Sequence, residues 1–424
     1  MSEASTPPNV LSRLCGMMFL QYFIQGSYLP IISVYAREAL KFTDAQLGGF
    51  SAALAVGPLL APFVLGQLVD RHYATQKVLA FCHFAAGLVM LVLYRQTEFW
   101  PVVTLGVAYS VLYVPTMMLT NSLAFHHLRN RDREFPKVRV LGTIGFIVPA
   151  WLVEFYWLSG LSGEELNQAR GIVFALAGAA GVVMGLYCLL LPNTPPDRRP
   201  DRPFAPGVVA TLLKQRNFLV LVLVSFPVAI VHQFFWVWNG PLLTSILRAG
   251  GVKGAWEQRI SSLCQVSEIA VMALVSAFIL RVGFKRTMLL GLAAYLLRCV
   301  LLAAAGANEG SFATAMTLAC LGQMLHGVCF GCFLAVAFMY LDRESPSDVR
   351  GSVQNLYGTL VLGLGFFLAG FVAGQTGQWF ETSVDGVTGH DWPGLWLACA
   401  GLAAACFVAF AVWFPRDAKA IKEY

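Results

Sequence analysis

Residues 138–153 read VRVLGTIGFIVPAWLV, an apolar run with a single charged residue, Arg139. A second run, SSLCQVSEIAVMALVSAFIL at 261–280, contains a single carboxylate, Glu268. A charged side chain at the centre of a membrane helix costs about 2.5–3.5 kcal/mol on insertion scales, so such residues usually face a bundle interior or a water-filled cavity. Opposite charges in the two halves of the chain therefore predict a polar cavity shared by these halves, which is typical of a transporter.

The composition predicts an all-α membrane protein. Of the 424 residues, 57% are hydrophobic and only 12% are charged, which excludes an ordinary soluble protein. Apolar segments of roughly 20 residues, the length that crosses a bilayer, predict twelve transmembrane helices at 12–36, 45–69, 77–94, 100–126, 136–158, 169–191, 217–240, 257–280, 286–306, 311–340, 349–373 and 393–414.

A proline-rich, charged stretch, PNTPPDRRPDRPFAPG at 192–207, separates the sixth predicted span from the seventh. Its proline density favours an extended tether over a helix. We therefore predict two six-helix halves, 1–191 and 217–424, joined by a cytoplasmic linker at 192–216. Six-plus-six repeats are common in secondary transporters.

The positive charges predict the orientation. With both termini in the cytoplasm, 20 of the 29 Lys and Arg residues fall on the inner side and seven on the outer side. This bias agrees with the positive-inside rule. We expect a multi-pass protein of the cytoplasmic (inner) membrane, and the net charge of +6 requires no nucleic-acid partner.

The loop after the second predicted span reads GQLVDRHYATQKVL and includes Gly66, Asp70 and Arg71. It resembles the loop between the second and third helices of the major facilitator superfamily. In that superfamily the glycine permits close helix approach, and the Asp and Arg latch one conformation. The resemblance implies the same latch here. The equivalent loop of the second half, LRVGFKRTML, keeps Gly283, Lys285 and Arg286 but has no acid.

The sequence of the fifth predicted span resembles one particular family of that superfamily. EFPKVRVLGTIGFI at 134–147 resembles the fifth-helix signature of the nucleoside:proton symporters within that superfamily. The resemblance extends over the whole chain through YVPTMMLTNSLAF at 113–125, QVSE at 265–268, VRGSVQNLYGTLVLGLG at 349–365 and HDWPGLW at 390–396. It implies uptake of nucleosides with protons, and it implies that the substrate site is lined by Arg139, Thr143, Phe146, Gln233, Gln265, Glu268 and Phe330.

The spacing of these residues agrees with that role. Arg139, Thr143 and Phe146 are spaced i, i+4 and i+7, so they share one helix face. A guanidinium, a hydroxyl and an aromatic ring suit ribose hydroxyls and a flat base. Ser261, Gln265 and Glu268 repeat the spacing. A structural role remains open for each residue. Arg139 lies near the inner loop, so its guanidinium can extend to the membrane surface. The Thr143 hydroxyl can donate to a backbone carbonyl of its own helix.

One position departs from the family. Symporters that resemble this chain carry an acid in the tenth span, directly after the aromatic residue equivalent to Phe330, whereas this chain has Gly331 in HGVCFGC at 326–332. We predict that Glu268 is the main proton carrier and that His326, one helical turn before Phe330, assists, because imidazole titrates near physiological pH. His232 is a second candidate, and a purely structural histidine is the alternative for both.

We therefore expect a monomeric nucleoside carrier of the major facilitator fold that binds a nucleoside and protons within the lipid bilayer. We expect no enzymatic activity, cofactor or metal. Three alternatives stay open: a sugar or glycoside symporter, an uncoupled nucleoside facilitator, which Gly331 would explain, and a sensor that binds a nucleoside without transport.

Overall fold

The computed structural model describes residues 6–60, 73–196, 215–345, 350–384 and 387–415. The chain forms two compact units. Unit 1 comprises Met1–Asp201 together with Lys253–Arg259, and unit 2 comprises Arg202–Val252 together with Ile260–Tyr424. A short segment from the second half of the sequence thus belongs to unit 1.

Helices dominate both units. In chain order, the helices before residue 200 are α1 Pro8–Tyr28, α2 Ile32–Glu38, α3 Asp44–Leu54, α4 Thr75–Leu93, α5 Phe99–His127, α6 Arg131–Leu152, α7 Gly163–Ala169 and α8 Ile172–Cys188. A π-helical turn, Val153–Trp157, extends α6. Pro136 and Pro149 lie inside α6.

The later helices are α9 Arg216–Ala249, α10 Glu257–Ser261, α11 Leu263–Val282, α12 Phe284–Ala307, α13 Phe312–Met324, α14 His326–Cys329, α15 Val336–Glu344, α16 Arg350–Gly358, α17 Phe366–Trp379 and α18 Trp392–Trp413. The π-helical turns Phe330–Ala335 and Thr359–Gly365 connect α14 to α15 and α16 to α17. Between α17 and α18, strands β1 Glu381–Val384 and β2 Val387–His390 form an antiparallel hairpin that the sequence pattern did not predict.

Ten helices in the described part of the chain are long and apolar enough to cross a membrane. They correspond to the third through twelfth predicted spans. The first predicted span is divided between α1 and α2 at residues 29–31, around Pro30, which cannot donate a backbone hydrogen bond. Only part of the second predicted span lies among the described residues.

Helix α1 packs along α6 with the two backbones close together. A Cβ atom on Gly26 would overlap the backbone of Phe146, and one on Gly145 would overlap the backbone of Phe19. Each glycine thus permits an approach that any larger residue would prevent. This approach fixes α6, which carries Arg139, Thr143 and Phe146, against α1.

We expect Gly26→Ala to lower the thermal stability of the detergent-solubilised protein, because its methyl group meets backbone, which cannot move aside as a side chain can. Overpacking of this kind costs about 1–3 kcal/mol. Gly401→Ala in α18 is the matched control: no atom lies within 4 Å of its Cβ position, so the higher helix propensity of alanine should leave stability unchanged or raise it. Equal melting temperatures for the two variants would contradict the close approach of α1 and α6.

Candidate substrate and proton site

The face of α6 carries the predicted site residues of unit 1. Arg139 and Thr143 are half-buried, and Phe146 is buried. The Arg139 guanidinium lies over the ring of Tyr22 on α1, with its carbon 4.4 Å from the ring centroid. This cation–π contact fixes the direction of the guanidinium. Tyr22 was missed by the sequence analysis, although it stands between two glutamines of an otherwise apolar segment, FLQYFIQG at 19–26.

A polar network that the sequence analysis also missed lies in the same unit. The Gln21 amide donates to Thr116 Oγ1 at 3.0 Å, and its Oε1 lies 2.9 Å from His83 Nε2. Because that oxygen can only accept, His83 carries its proton on Nε2. Tyr113 donates to the Gln21 backbone carbonyl at 2.5 Å. The four fully buried side chains tie α1, α4 and α5 together.

In unit 2, Gln265 and Glu268 lie on α11. The predicted i, i+4, i+7 helix face is interrupted at Ser262, because Ser261 ends α10 and α11 begins at Leu263. Ser261 accepts from Asn239 Nδ2 at 3.1 Å. Gln265 is buried, and its Oε1 has no hydrogen-bond partner in the described part of the chain. Glu268 is half-buried. The acceptor atom of Gln265 is therefore a buried, unsatisfied group in the described part of the chain, which is the kind of atom that a polar ligand would satisfy.

Glu268 and His326 lie beside the same helix–helix contact. Gly327 N–H donates to Ser267 Oγ at 3.1 Å, and a Cβ on Gly327 would overlap the Ser267 backbone. Each bonded residue is the chain neighbour of one candidate, so the backbones of Glu268 and His326 lie beside one contact between α11 and α14.

Aromatic rings from α9 surround His326. Its ring centroid lies 5.3 Å from that of His232 and 5.4 Å from that of Trp236. Phe330 lies 6.0 Å from His232. Gln233, the residue after His232, is half-buried. Phe330 and His326 thus share His232 as a neighbour.

The donors that contact the two histidines fix their tautomers. Trp236 donates its indole N–H to His232 Nε2 at 3.4 Å, so His232 carries its proton on Nδ1, which lies 2.8 Å from Tyr295 OH. Arg298 Nη1 lies 3.1 Å from His326 Nδ1. Because arginine has no acceptor, His326 Nδ1 is unprotonated here.

Arg298 is the main residue whose role the sequence analysis underestimated. It is fully buried on α12, and its guanidinium carbon lies 4.2 Å from the Phe235 ring centroid. Its Nε and Nη2 have no hydrogen-bond partner in the described ranges. From its position in the ninth predicted span, an outer-ring helix, only a structural role is expected for Arg298. Its contact with His326 instead places a permanent positive charge beside a proposed proton group.

The backbone at Gly331 leaves little room for the acid that the family resemblance implies at this position. A Cβ at this position would lie 2.9 Å from Val271 Cγ1 and 3.5 Å from Met272 Sδ on α11. An aspartate here would have to displace Val271, so the local packing fits the glycine that is present.

The predicted latch residues Gly66, Asp70 and Arg71 lie outside the described residues. Within the described residues, no group of three His, Cys, Asp or Glu side chains could hold a metal ion.

The sequence of residues 9–419 matches the protein family described as "Nucleoside H+ symporter". The chain belongs to the nucleoside H⁺ symporter family. The match includes every candidate site residue of this symporter from Arg139 to Phe330.

Similar proteins and a similar solved structure agree with this family. The symporter is 31% identical over 414 residues to the putative nucleoside transporter YegT of Escherichia coli, covering 96% of this chain and 94% of YegT. It is 28% identical over 433 residues to the E. coli xanthosine permease, covering 98% and 99% of the two chains. The crystal structure of the nucleoside transporter NupG superposes with a TM-score of 0.82 at 24% identity, covering 96% of this chain and all of that one. The symporter therefore has the major facilitator fold.

Proposed function

We propose that this symporter imports nucleosides across the cytoplasmic membrane together with protons, by alternating access of a central site. The observation that carries the proposal is the family match over residues 9–419. The exposed parts of Arg139 and Thr143 would bind ribose hydroxyls or a base carbonyl. Phe146 and Phe330 would pack against the flat base. Gln265, with its unpartnered Oε1, would accept from the nucleoside.

We propose Glu268 as the main proton carrier. His326 can assist only after its Nδ1 has separated from Arg298, since the permanent guanidinium opposes a second positive charge at 3.1 Å. Arg298 therefore keeps His326 neutral and leaves Glu268 as the group that changes charge. In this proposal both termini lie in the cytoplasm, and residues 192–216 are a cytoplasmic linker between two six-helix halves.

Uptake into proteoliposomes tests the proposed function. Labelled uridine, adenosine and xanthosine would be offered with and without an inward proton gradient, xanthosine being included because of the relative named for it. We expect accumulation that collapses when the gradient is dissipated. Glucose and maltose serve as control substrates, and uptake of either in place of the nucleosides would contradict the proposal.

An uncoupled nucleoside facilitator is a second candidate, favoured by Gly331, which leaves no carboxylate after Phe330. The same assay separates the two functions. A facilitator would equilibrate the nucleoside without concentrating it, whatever the gradient.

A further inference from the structure

One aromatic ring of α1 supports the Arg139 guanidinium. The guanidinium carbon lies 4.4 Å from the centroid of the Tyr22 ring. A Cβ on Gly142 would lie 2.7 Å from Tyr22 Cδ2 and 3.0 Å from Arg139 Nη1. Gly142 follows Arg139 by three residues and lies on the same face of α6. Its missing side chain therefore leaves the space in which the ring and the guanidinium stack.

The rotation of α1 about its axis decides whether Tyr22 meets Arg139. Phe19 and Gly26, three residues before and four residues after Tyr22, are the positions at which the backbone of α1 closely approaches α6. Successive residues of a helix differ in direction by about 100°. Gln21, the residue before Tyr22, therefore points away from α6, and its side chain contacts α4 and α5 instead.

Hydrogen bonds around Gln21 run in a single direction. His83 Nε2–H donates to Gln21 Oε1 at 2.9 Å, and Gln21 Nε2 donates to Thr116 Oγ1 at 3.0 Å. The Thr116 hydroxyl donates to the Tyr113 carbonyl at 2.5 Å, and the Tyr113 hydroxyl donates to the Gln21 carbonyl. Each hydrogen is used once, and bonds arranged in this way polarise and strengthen one another. We call Gln21, His83, Tyr113 and Thr116 the α1 anchor.

The burial of the α1 anchor opposes rotation of α1. Gln21, His83 and Thr116 are fully buried, and Tyr113 is 1% exposed. A rotation of α1 would separate these donors and acceptors where no water replaces the lost partner, which is unfavourable for each group. The anchor therefore holds α1 at the rotation that presents the Tyr22 ring to Arg139.

We propose that Tyr22 and the α1 anchor are positioning groups for Arg139. The anchor fixes the rotation of α1, and Tyr22 then holds the guanidinium in the direction in which it binds the nucleoside. The proposal rests on the nucleoside-binding role proposed above for Arg139. Because one face of the guanidinium lies on the ring, its N–H edge is left for acceptor oxygens of a ribose or a base.

Replacement of Tyr22 tests the contact with Arg139. We expect Tyr22→Leu to raise the half-saturation concentration for nucleoside counterflow about threefold to tenfold, the range for loss of a cation–π contact. The maximal exchange rate should change little. Tyr22→Phe should stay close to the wild type, because it retains the ring. In Arg139→Gln protein, Tyr22→Leu should have no further effect, since the group that it positions is gone.

Replacement of Thr116 tests the α1 anchor. Thr116→Val keeps the side-chain shape but removes the hydroxyl that accepts from Gln21, so we expect a severalfold higher half-saturation concentration. Thr116→Ser should restore the wild-type value, and Arg139→Gln should abolish the effect of Thr116→Val. Thr120→Val is the matched control. Thr120 is also fully buried on α5, but its hydroxyl donates at 3.1 Å to the Met117 carbonyl of its own helix.

Tyr113→Phe provides a second variant of the anchor if Thr116→Val does not reach the membrane. It removes only the hydroxyl that donates to the Gln21 carbonyl, and it should raise the half-saturation concentration in the same way. An equal effect of Tyr22→Leu or of the anchor variant with and without Arg139 would overturn the proposal, as would an unchanged half-saturation concentration.

Two further outcomes separate this proposal from the proposed function. An unchanged half-saturation concentration in Arg139→Gln, with normal exchange by the wild-type protein, would contradict the binding role of Arg139 and therefore the positioning role as well. Absence of nucleoside exchange by the wild-type protein would instead count against the proposed transport function.

Discussion

Glu268→Gln should abolish proton-driven accumulation of nucleosides while leaving nucleoside exchange intact. Glutamine preserves the shape and hydrogen-bonding reach of the glutamate side chain but does not bind a proton near neutral pH. A gradient of one pH unit supplies about 1.4 kcal/mol per proton, which supports about tenfold accumulation for one coupled proton. The wild-type protein should approach that ratio, and the variant should stop at equal concentrations inside and outside.

The control for this prediction is Glu344→Gln, which also removes one acid from unit 2. Glu344 is half-exposed and pairs with its neighbour Arg343 at 2.9 Å, so its loss should not alter accumulation. Counterflow of labelled nucleoside verifies that each variant still binds and moves its substrate. Full accumulation by Glu268→Gln would mean that another group carries the proton. His326→Gln would then be the next variant to measure.

Arg139→Gln should weaken nucleoside binding about tenfold to a hundredfold. The guanidinium is directed by its contact with Tyr22, 4.4 Å from the ring centroid, and hydrogen bonds to charged groups contribute about 1.5–3 kcal/mol. Arg139→Lys should be intermediate, because it keeps the charge but loses the planar pair of donors. The half-saturation concentration for counterflow measures the effect without involving the proton gradient.

Arg95→Gln is a matched control for Arg139→Gln. Arg95 also lies over a tyrosine ring, that of Tyr94 at 5.7 Å, but it is exposed at the end of α4 and outside the proposed site. Its replacement should leave substrate affinity unchanged. If Arg139→Gln lowered expression and melting temperature but not the affinity of the surviving protein, Arg139 would be a structural anchor.

The spans and the proposed substrate face of α6 were predictable because they depend on local periodicity. A membrane helix requires about 20 apolar residues in succession, and Arg139, Thr143 and Phe146 share a face wherever their segment is helical. The resemblance to nucleoside:proton symporters also rests on short local signatures, such as EFPKVRVLGTIGFI at 134–147. The family match confirms that prediction.

The interruptions within the spans were harder to predict. The break between α1 and α2 surrounds Pro30, so it could have been predicted from that proline. The π-helical turn at Phe330–Ala335 contains no proline and has no distinctive composition. From the sequence, Gly331 could be described only as a glycine at a position where the family resemblance implies an acid. The structure adds a packing reason for the glycine, since its Cβ position faces Val271 across a helix contact.

The sequence by itself determined the membrane class, the family and one helix face of the proposed site, because these follow from composition and from residues that are close together in the chain. Only the tertiary structure decided which polar groups meet. Arg298 contacts His326 across 28 residues, His83 contacts Gln21 across 62, and Arg259 contacts Glu154 across 105. Such pairings depend on which helices pack together and on how far along their axes the paired residues lie. No local pattern in the chain specifies either.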